Sequence, residues 1–186
     1  MTAAELLSKQ ELQPDSPLWR FAIRLWQHGE ISELCLRLQD RGWRVTAVLC
    51  ASWLASRGQA FDEEPSEVPE WRRQITSPLR AMRKALPKDS GAGAELRASL
   101  AQAELEAEKL ELALAFAALT HPAPGNIRNT ETLAALLERN IRRAAPEDNN
   151  NEAGRDYETD RTTEDLVNAL CHAMEQHLTT ARDSAG

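Results

Sequence analysis

At 186 residues and a net charge of −7, the chain is sized for one domain with tails. Its acidity works against general nucleic-acid binding, which needs a cationic surface to neutralise phosphates. Charged Glu5, Lys9 and Glu11 interrupt the N-terminus before a secretion-signal apolar run can build. The longest uncharged runs, 45–56 and 112–127, are too short or too Pro-broken to span a bilayer, so the expectation is a cytoplasmic chain with no membrane contact.

The first segment, 1–13, can form a turn or two of helix before Pro14 stops it. Ser16 followed by Pro17 reads as an N-cap with Pro at the first helical position, opening a helix over about 17–28. On it Trp19, Ile23 and Trp26 share one face, and Leu18, Phe21, Ala22 and Leu25 fill the next. Such an apolar helix is expected to be mostly buried, with Gly29 as its stop. A second helix, 31–41, buries Ile31, Leu34, Cys35 and Leu38 and ends at Gly42. Thr46 is the expected cap of a third, uncharged helix over 47–56, whose small residues permit close approach and place it centrally. Gly58 closes it.

Residues 59–70 carry five acids and no base, and 71–88 carry six bases and no acid. In the latter, Trp71, Ile75, Leu79, Met82 and Leu86 fall within an arc of roughly 80° at helical spacing. Arg72, Arg73, Arg80, Arg83 and Lys84 occupy the adjoining and opposite arc. Ser77-Pro78 marks a kink or a restart. Beyond Gly91 and Gly93, a long helix is expected over 94–119. Leu96, Leu100, Ala103, Ala107, Leu110, Leu114 and Ala117 form a heptad row on it, and Leu105, Leu112, Phe116 and Leu119 form a second. The 121–125 stretch, with two Pro and a Gly, terminates it.

A Thr130 cap then opens an amphipathic helix to about 145. The Asn-rich, acidic stretch 146–161 reads as disordered. Thr162 opens a last helix with Leu166, Leu170, Met174 and Leu178 on one stripe. No β-alternation of useful length appears. The reading is therefore all-α: a compact Trp-rich helical bundle with a long helix and a C-terminal helical extension. In linear terms, 1–16 is a lead, 17–120 the bundle, 121–145 an additional helix, 146–161 a linker and 162–186 a C-terminal helix and tail. All five Trp fall between 18 and 86, and the indoles are expected to point inward and hold the bundle together. Cys35, Cys50 and Cys171 read as small buried hydrophobes in a reducing compartment.

The first half resembles the bacterial family catalogued as domain of unknown function 2390. The residues that carry the likeness begin at Leu18-Trp19-Arg20-Phe21-Ala22, with Trp26 beyond. They continue through Cys35-Leu36-Arg37-Leu38-Gln39-Asp40, Val45-Thr46, Trp53-Leu54-Ala55 and Trp71-Arg72 to Pro78-Leu79-Arg80-Ala81-Met82-Arg83. Thr46 stands where such proteins usually carry Asn. The resemblance implies a small helical cytoplasmic protein and supplies no activity.

Chemistry is thin. Asp40 in the last turn of a helix opposes the macrodipole, so Gln39 and Asp40 form a candidate polar site. The basic arc of Arg72, Arg73, Arg80, Arg83 and Lys84 is the candidate binding surface, since guanidinium forks suit phosphate or carboxylate oxygens. Three readings of it stand open: a solvated face, pairing with the chain's own acidic loop or tail, or docking of an acidic partner or nucleic acid. His172 and His177, five residues apart, do not share a helix face. No metal, phosphate-loop or nucleophile motif is present, so no catalytic residue, metal ligand or cofactor is assigned and an enzyme is not expected. The expected function is protein–protein interaction, as an adaptor or regulator, with an anion- or nucleic-acid-binding module as the alternative. The heptad row makes 94–119 a route to a homodimer.

Overall fold

The computed structural model describes residues 1–8, 11–88, 91, 93–120, 131–146 and 157–183. Every regular element among them is a helix. In chain order these are α1 (Ala3–Ser8), α2 (Pro17–Trp26), α3 (Gly29–Gln39), α4 (Val45–Ser56), α5 (Glu67–Trp71), a π-turn (Arg72–Thr76), α6 (Ser77–Ala85), α7 (Ala94–Thr120), α8 (Leu133–Arg143) and α9 (Tyr157–Asp183). The contacts divide the chain into two compact units, 1–19 with 64–121 and 20–63 with 122–186.

In the first unit, α5, the π-turn and α6 form one continuous rod packed along α7. The π-turn has a local cause. Pro78 has no N–H to donate, and the N–H of Ser77 reaches back five residues to the carbonyl of Arg72, widening the turn. Ser77-Pro78 thus produces a bulge inside a running helix rather than a break. The Trp71 indole N–H donates to the Ala107 carbonyl at 2.9 Å, tying the rod to α7. At the other end, the Arg97 guanidinium donates to the carbonyls of Leu86 (2.6 Å) and Arg83 (2.5 Å), capping the C-terminus of α6. The Gln74 side chain accepts from the Ala3 N–H at 2.8 Å and donates to the Met1 carbonyl at 2.7 Å, anchoring the N-terminal segment.

In the second unit, α3, α4, α8 and α9 each pack on two of the others, closing a ring of four helices. Helix α4 is buried at every position from Thr46 to Ala55, as its small uncharged residues demand. Asn140 on α8 is fully buried and satisfies three backbone groups. Its amide donates to the carbonyls of Ala51 (3.1 Å) and Gln59 (2.9 Å), and its oxygen accepts from the Phe61 N–H (3.0 Å). The chain leaving α4 is fixed to α8 by this one side chain.

Several local expectations are corrected. Gly29 is the first residue of α3, with His28 as its N-cap, rather than the stop of α2. Helix α4 starts at Val45 with Arg44 at the N-cap, and Thr46 is a buried residue inside it. Thr132 caps α8, its hydroxyl oxygen accepting from the Ala135 N–H at 3.3 Å. Helix α9 begins at Tyr157, inside the stretch read as linker, and runs through the expected Thr162 start. Thr130, 121–125 and most of 146–161 lie outside the described residues. Ser16 does cap α2, accepting from the Trp19 N–H at 3.1 Å. Gly42 (φ 85°) and Gly58 (φ 73°) close α3 and α4 in the left-handed conformation. After each, the next N–H bonds back five residues, Trp43 to Leu38 and Gln59 to Leu54.

Candidate functional site

The basic arc is not an open surface. Arg72, at the start of the π-turn, donates to Glu111 on α7 at 2.6 and 2.8 Å and to Glu64 at 2.5 and 2.8 Å. The Thr76 hydroxyl donates to the other oxygen of Glu111 at 2.9 Å. Arg80 donates to Glu104 at 2.7 Å and to Glu108 at 2.5 Å, and Arg83 donates to both oxygens of Glu104. Arg73 pairs with Glu70 at 2.6 Å in solvent, and Lys84 is exposed. Of the three readings of the arc, the geometry brings its inner members onto the chain's own acids. Glu64 and Glu70 belong to the acidic loop, but the main partners are Glu104, Glu108 and Glu111 on α7. Their i, i+4, i+7 spacing was a readable signal, overshadowed by the leucine rows of the same helix.

The electrostatics follow from this crowding. Three guanidiniums (Arg72, Arg80, Arg83) face four carboxylates (Glu64, Glu104, Glu108, Glu111). Burial pushes the Glu108 carboxyl above its ordinary value, and the neighbouring Glu104 and Glu111 add to that against the pull of Arg80. Burial also works against the charge of Glu104, but the bonds from Arg83 and Arg80 win and hold it below the ordinary value. For Arg72 the pairs with Glu64 and Glu111 overcome desolvation and secure its charge.

The heptad row on α7 splits. Leu96 is 56% exposed, Leu100 and Ala103 are half-buried, and Ala107 and Leu114 are inside. On the second row Leu105 is 44% exposed and Leu112 is buried.

Asp40 is the exposed C-cap of α3 and Gln39 beside it is half-buried. Both belong to the second unit, while the basic arc belongs to the first. The second unit also holds a shallow cavity of about 180 Å³ lined by Ala134, Glu138, Asn168, Cys171, His172 and Glu175. Burial pushes the Cys171 thiol up to about 11, the opposite of what a nucleophilic cysteine needs. Cys35, deeper still, is pushed up to about 12. Among the described residues no group of three or more His, Cys, Asp or Glu has the geometry of a metal site.

The surface that the pattern reading missed is on α2. Trp43, Trp53 and Trp71 are buried, as expected of the indoles, but Trp26 is 41% and Ile23 39% exposed. Helix α2 turns Leu18, Phe21, Ala22 and Leu25 inward instead. Two apolar faces were legible on this helix, and periodicity alone does not say which one is covered. Trp19, half-buried, lies under the Lys109 ammonium, 5.5 Å from the ring centroid. Arg20 and Arg24 flank Ile23, and among the described residues neither forms an ion pair.

The architecture is that of a small all-helical protein whose buried charges are neutralised internally. The chain matches the family model described as Protein of unknown function (DUF2390) over residues 17–114, more than half its length, and it belongs to that family. The matched stretch runs from the start of α2 to the buried part of α7 and leaves α8 and α9 outside. Comparison with curated proteins and with solved structures gave no match. No helix among the described residues is long and apolar enough to cross a membrane.

Proposed function

We propose that this protein is a cytoplasmic, non-catalytic interaction module, an adaptor or regulator that works by binding another protein. The observation that carries the reading is the exposed face of α2, where Ile23 (39% exposed) and Trp26 (41%) lie beside Arg20 and Arg24, which form no ion pair among the described residues. Trp and Arg are the residue types that dominate binding energy at protein interfaces. Anion or nucleic-acid binding by 71–88 is the weaker alternative, because Arg72, Arg80 and Arg83 would have to leave carboxylates they already hold.

In-cell photo-crosslinking tests the reading, with a benzophenone side chain placed at the exposed Gln27. A discrete protein adduct that disappears with Trp26→Ala supports it. An adduct pattern matching that from a control position on α9, Glu175, and unchanged by Trp26→Ala, overturns it.

A further inference from the structure

The exposed surface of α2 has two sectors. At about 100° per residue, Trp26 and Ile23 occupy one strip of the helix, and Gln27, Arg20 and Arg24 occupy the strip beside it. Phe21, Ala22 and Leu25 lie on the far side and are buried. All the exposed members from Arg20 to Gln27 belong to the second unit. The helix has no acid of its own, and the cations of α6 show the contrasting case, a basic face already matched by carboxylates of the same chain. On α2 no such match is made among the described residues.

Resting on the interaction reading above, we propose that this face docks an amphipathic helix of a partner protein, its apolar side chains on Ile23 and Trp26 and its carboxylates over Arg20 and Arg24. The chemistry is a smaller copy of the α6–α7 contact, with the acidic helix supplied from outside. An amphipathic helix presents apolar residues at i, i+3, i+4 and i+7 with flanking positions free for Glu or Asp, which suits a strip of apolar surface bordered by a strip of cations. Ion pairing along the border fixes orientation and speeds encounter, and the indole supplies the buried anchor. An anionic bilayer would also meet a Trp/Arg helix face. It is disfavoured because binding to a bilayer scales with the apolar area inserted, and the larger apolar face of α2, Leu18, Phe21, Ala22 and Leu25, is already buried in the fold.

The experiment uses the full chain, labelled with nitrogen-15, and three probes: a helix-stabilised peptide with Leu at i, i+3, i+4 and i+7 flanked by Glu, a scrambled peptide of the same composition, and vesicles of phosphatidylglycerol and phosphatidylcholine. The expected result is saturable shifts confined to amides 20–28 and the Trp26 indole with the patterned peptide. Arg20→Glu combined with Arg24→Glu should weaken that binding about tenfold or more, and a Lys-flanked peptide should restore it on the same variant. Both arginines are exposed, so the variant keeps its fold, checked by its unchanged amide spectrum elsewhere. Equal binding of the scrambled peptide, or shifts outside α2, overturns the proposal. So does vesicle binding that depends on Arg20 and Arg24 while the patterned peptide stays inert, since it assigns the face to lipid. A Trp26-dependent crosslink from position 27 alongside an inert patterned peptide leaves the interaction reading standing and removes the acidic-helix partner.

Discussion

Arg72 and Glu111 meet inside the first unit with side chains 12% and 1% exposed, joined by bonds of 2.8 and 2.6 Å. Glu111 is the point on α7 where the π-turn is fastened, since Thr76 one turn on donates to its second oxygen. A buried pair of this kind adds little net stability over an apolar pair of similar volume, but removing one partner leaves a buried charge uncompensated.

Glu111→Ala is therefore expected to lower the unfolding free energy by roughly 3–5 kcal/mol, measured as a shift in urea midpoint at constant slope. Arg72 would then keep its pair with Glu64 but lose the buried carboxylate on α7. Replacing both partners, Arg72→Met with Glu111→Leu, should recover most of the loss. A double variant as unstable as the single one would refute the account.

Asn140 supports a second prediction. Its side-chain amide donates to the carbonyls of Gln59 and Ala51 and accepts from the buried Phe61 N–H. Asn140→Leu keeps the volume and removes all three bonds, so it should cost on the order of 3 kcal/mol. Hydrogen exchange should show the Phe61 amide losing protection first. Unchanged protection there would mean that α8 does not hold the 59–61 segment through this residue.

What was legible in the sequence follows from what periodicity encodes. The start of α7 at Ala94 and its end one residue past the expected Leu119 were readable, because glycines and prolines bracket an unbroken helical pattern. The buried face of α3, Ile31, Leu34, Cys35 and Leu38, was readable for the same reason. Periodicity places residues on faces but does not name the neighbour that covers each face. On α2 both apolar faces fit the helical period, and the one holding Trp26 is the one left in water. Along the π-turn and α6 the apolar arc remains half-exposed at Leu79 and 50% exposed at Met82, while the edge of Arg72, Thr76, Arg80 and Arg83 faces α7. Charge pairing across two distant segments decided that packing. Cap positions failed where a Thr close to the boundary competed with the backbone's own choice, as at Thr46.

The stability of the second unit should fall with acid through His177. Its ring sits 3.8 Å, centroid to centroid, from that of His28. Burial lowers its proton affinity below the ordinary value of 6.5, and His28 and Arg24 lower it further. A depressed folded-state value means that the contribution is fully present above about 6.5, is eroded as the unfolded chain takes up protons below it, and is gone once the pH passes the folded value. Glu108, raised in the fold, slopes the other way, with stability lost as the pH climbs above the carboxylate range. The diagnostic is therefore a difference: urea midpoints of the natural chain and of His177→Gln, compared from pH 8 to 5. The gap should change across that range in favour of the variant as the pH falls. Parallel curves would show that His177 has the same proton affinity folded and unfolded.

Leu25 and Trp26 are neighbours on α2 with opposite fates, 1% and 41% exposed. Leu25→Ala should cost roughly 2–5 kcal/mol, since it removes a fully buried side chain and leaves a cavity. Trp26→Ala removes a larger side chain, yet should cost less than Leu25→Ala because 41% of that residue is already exposed and its loss leaves no closed cavity. The same contrast should appear in quenching, with acrylamide reaching one indole far more readily than Trp43, Trp53 and Trp71, and with that accessible component missing from Trp26→Ala. A large destabilisation by Trp26→Ala would mean that the indole is held inside the fold, and the face from Arg20 to Gln27 would then be part of the core instead of a place for a partner to bind.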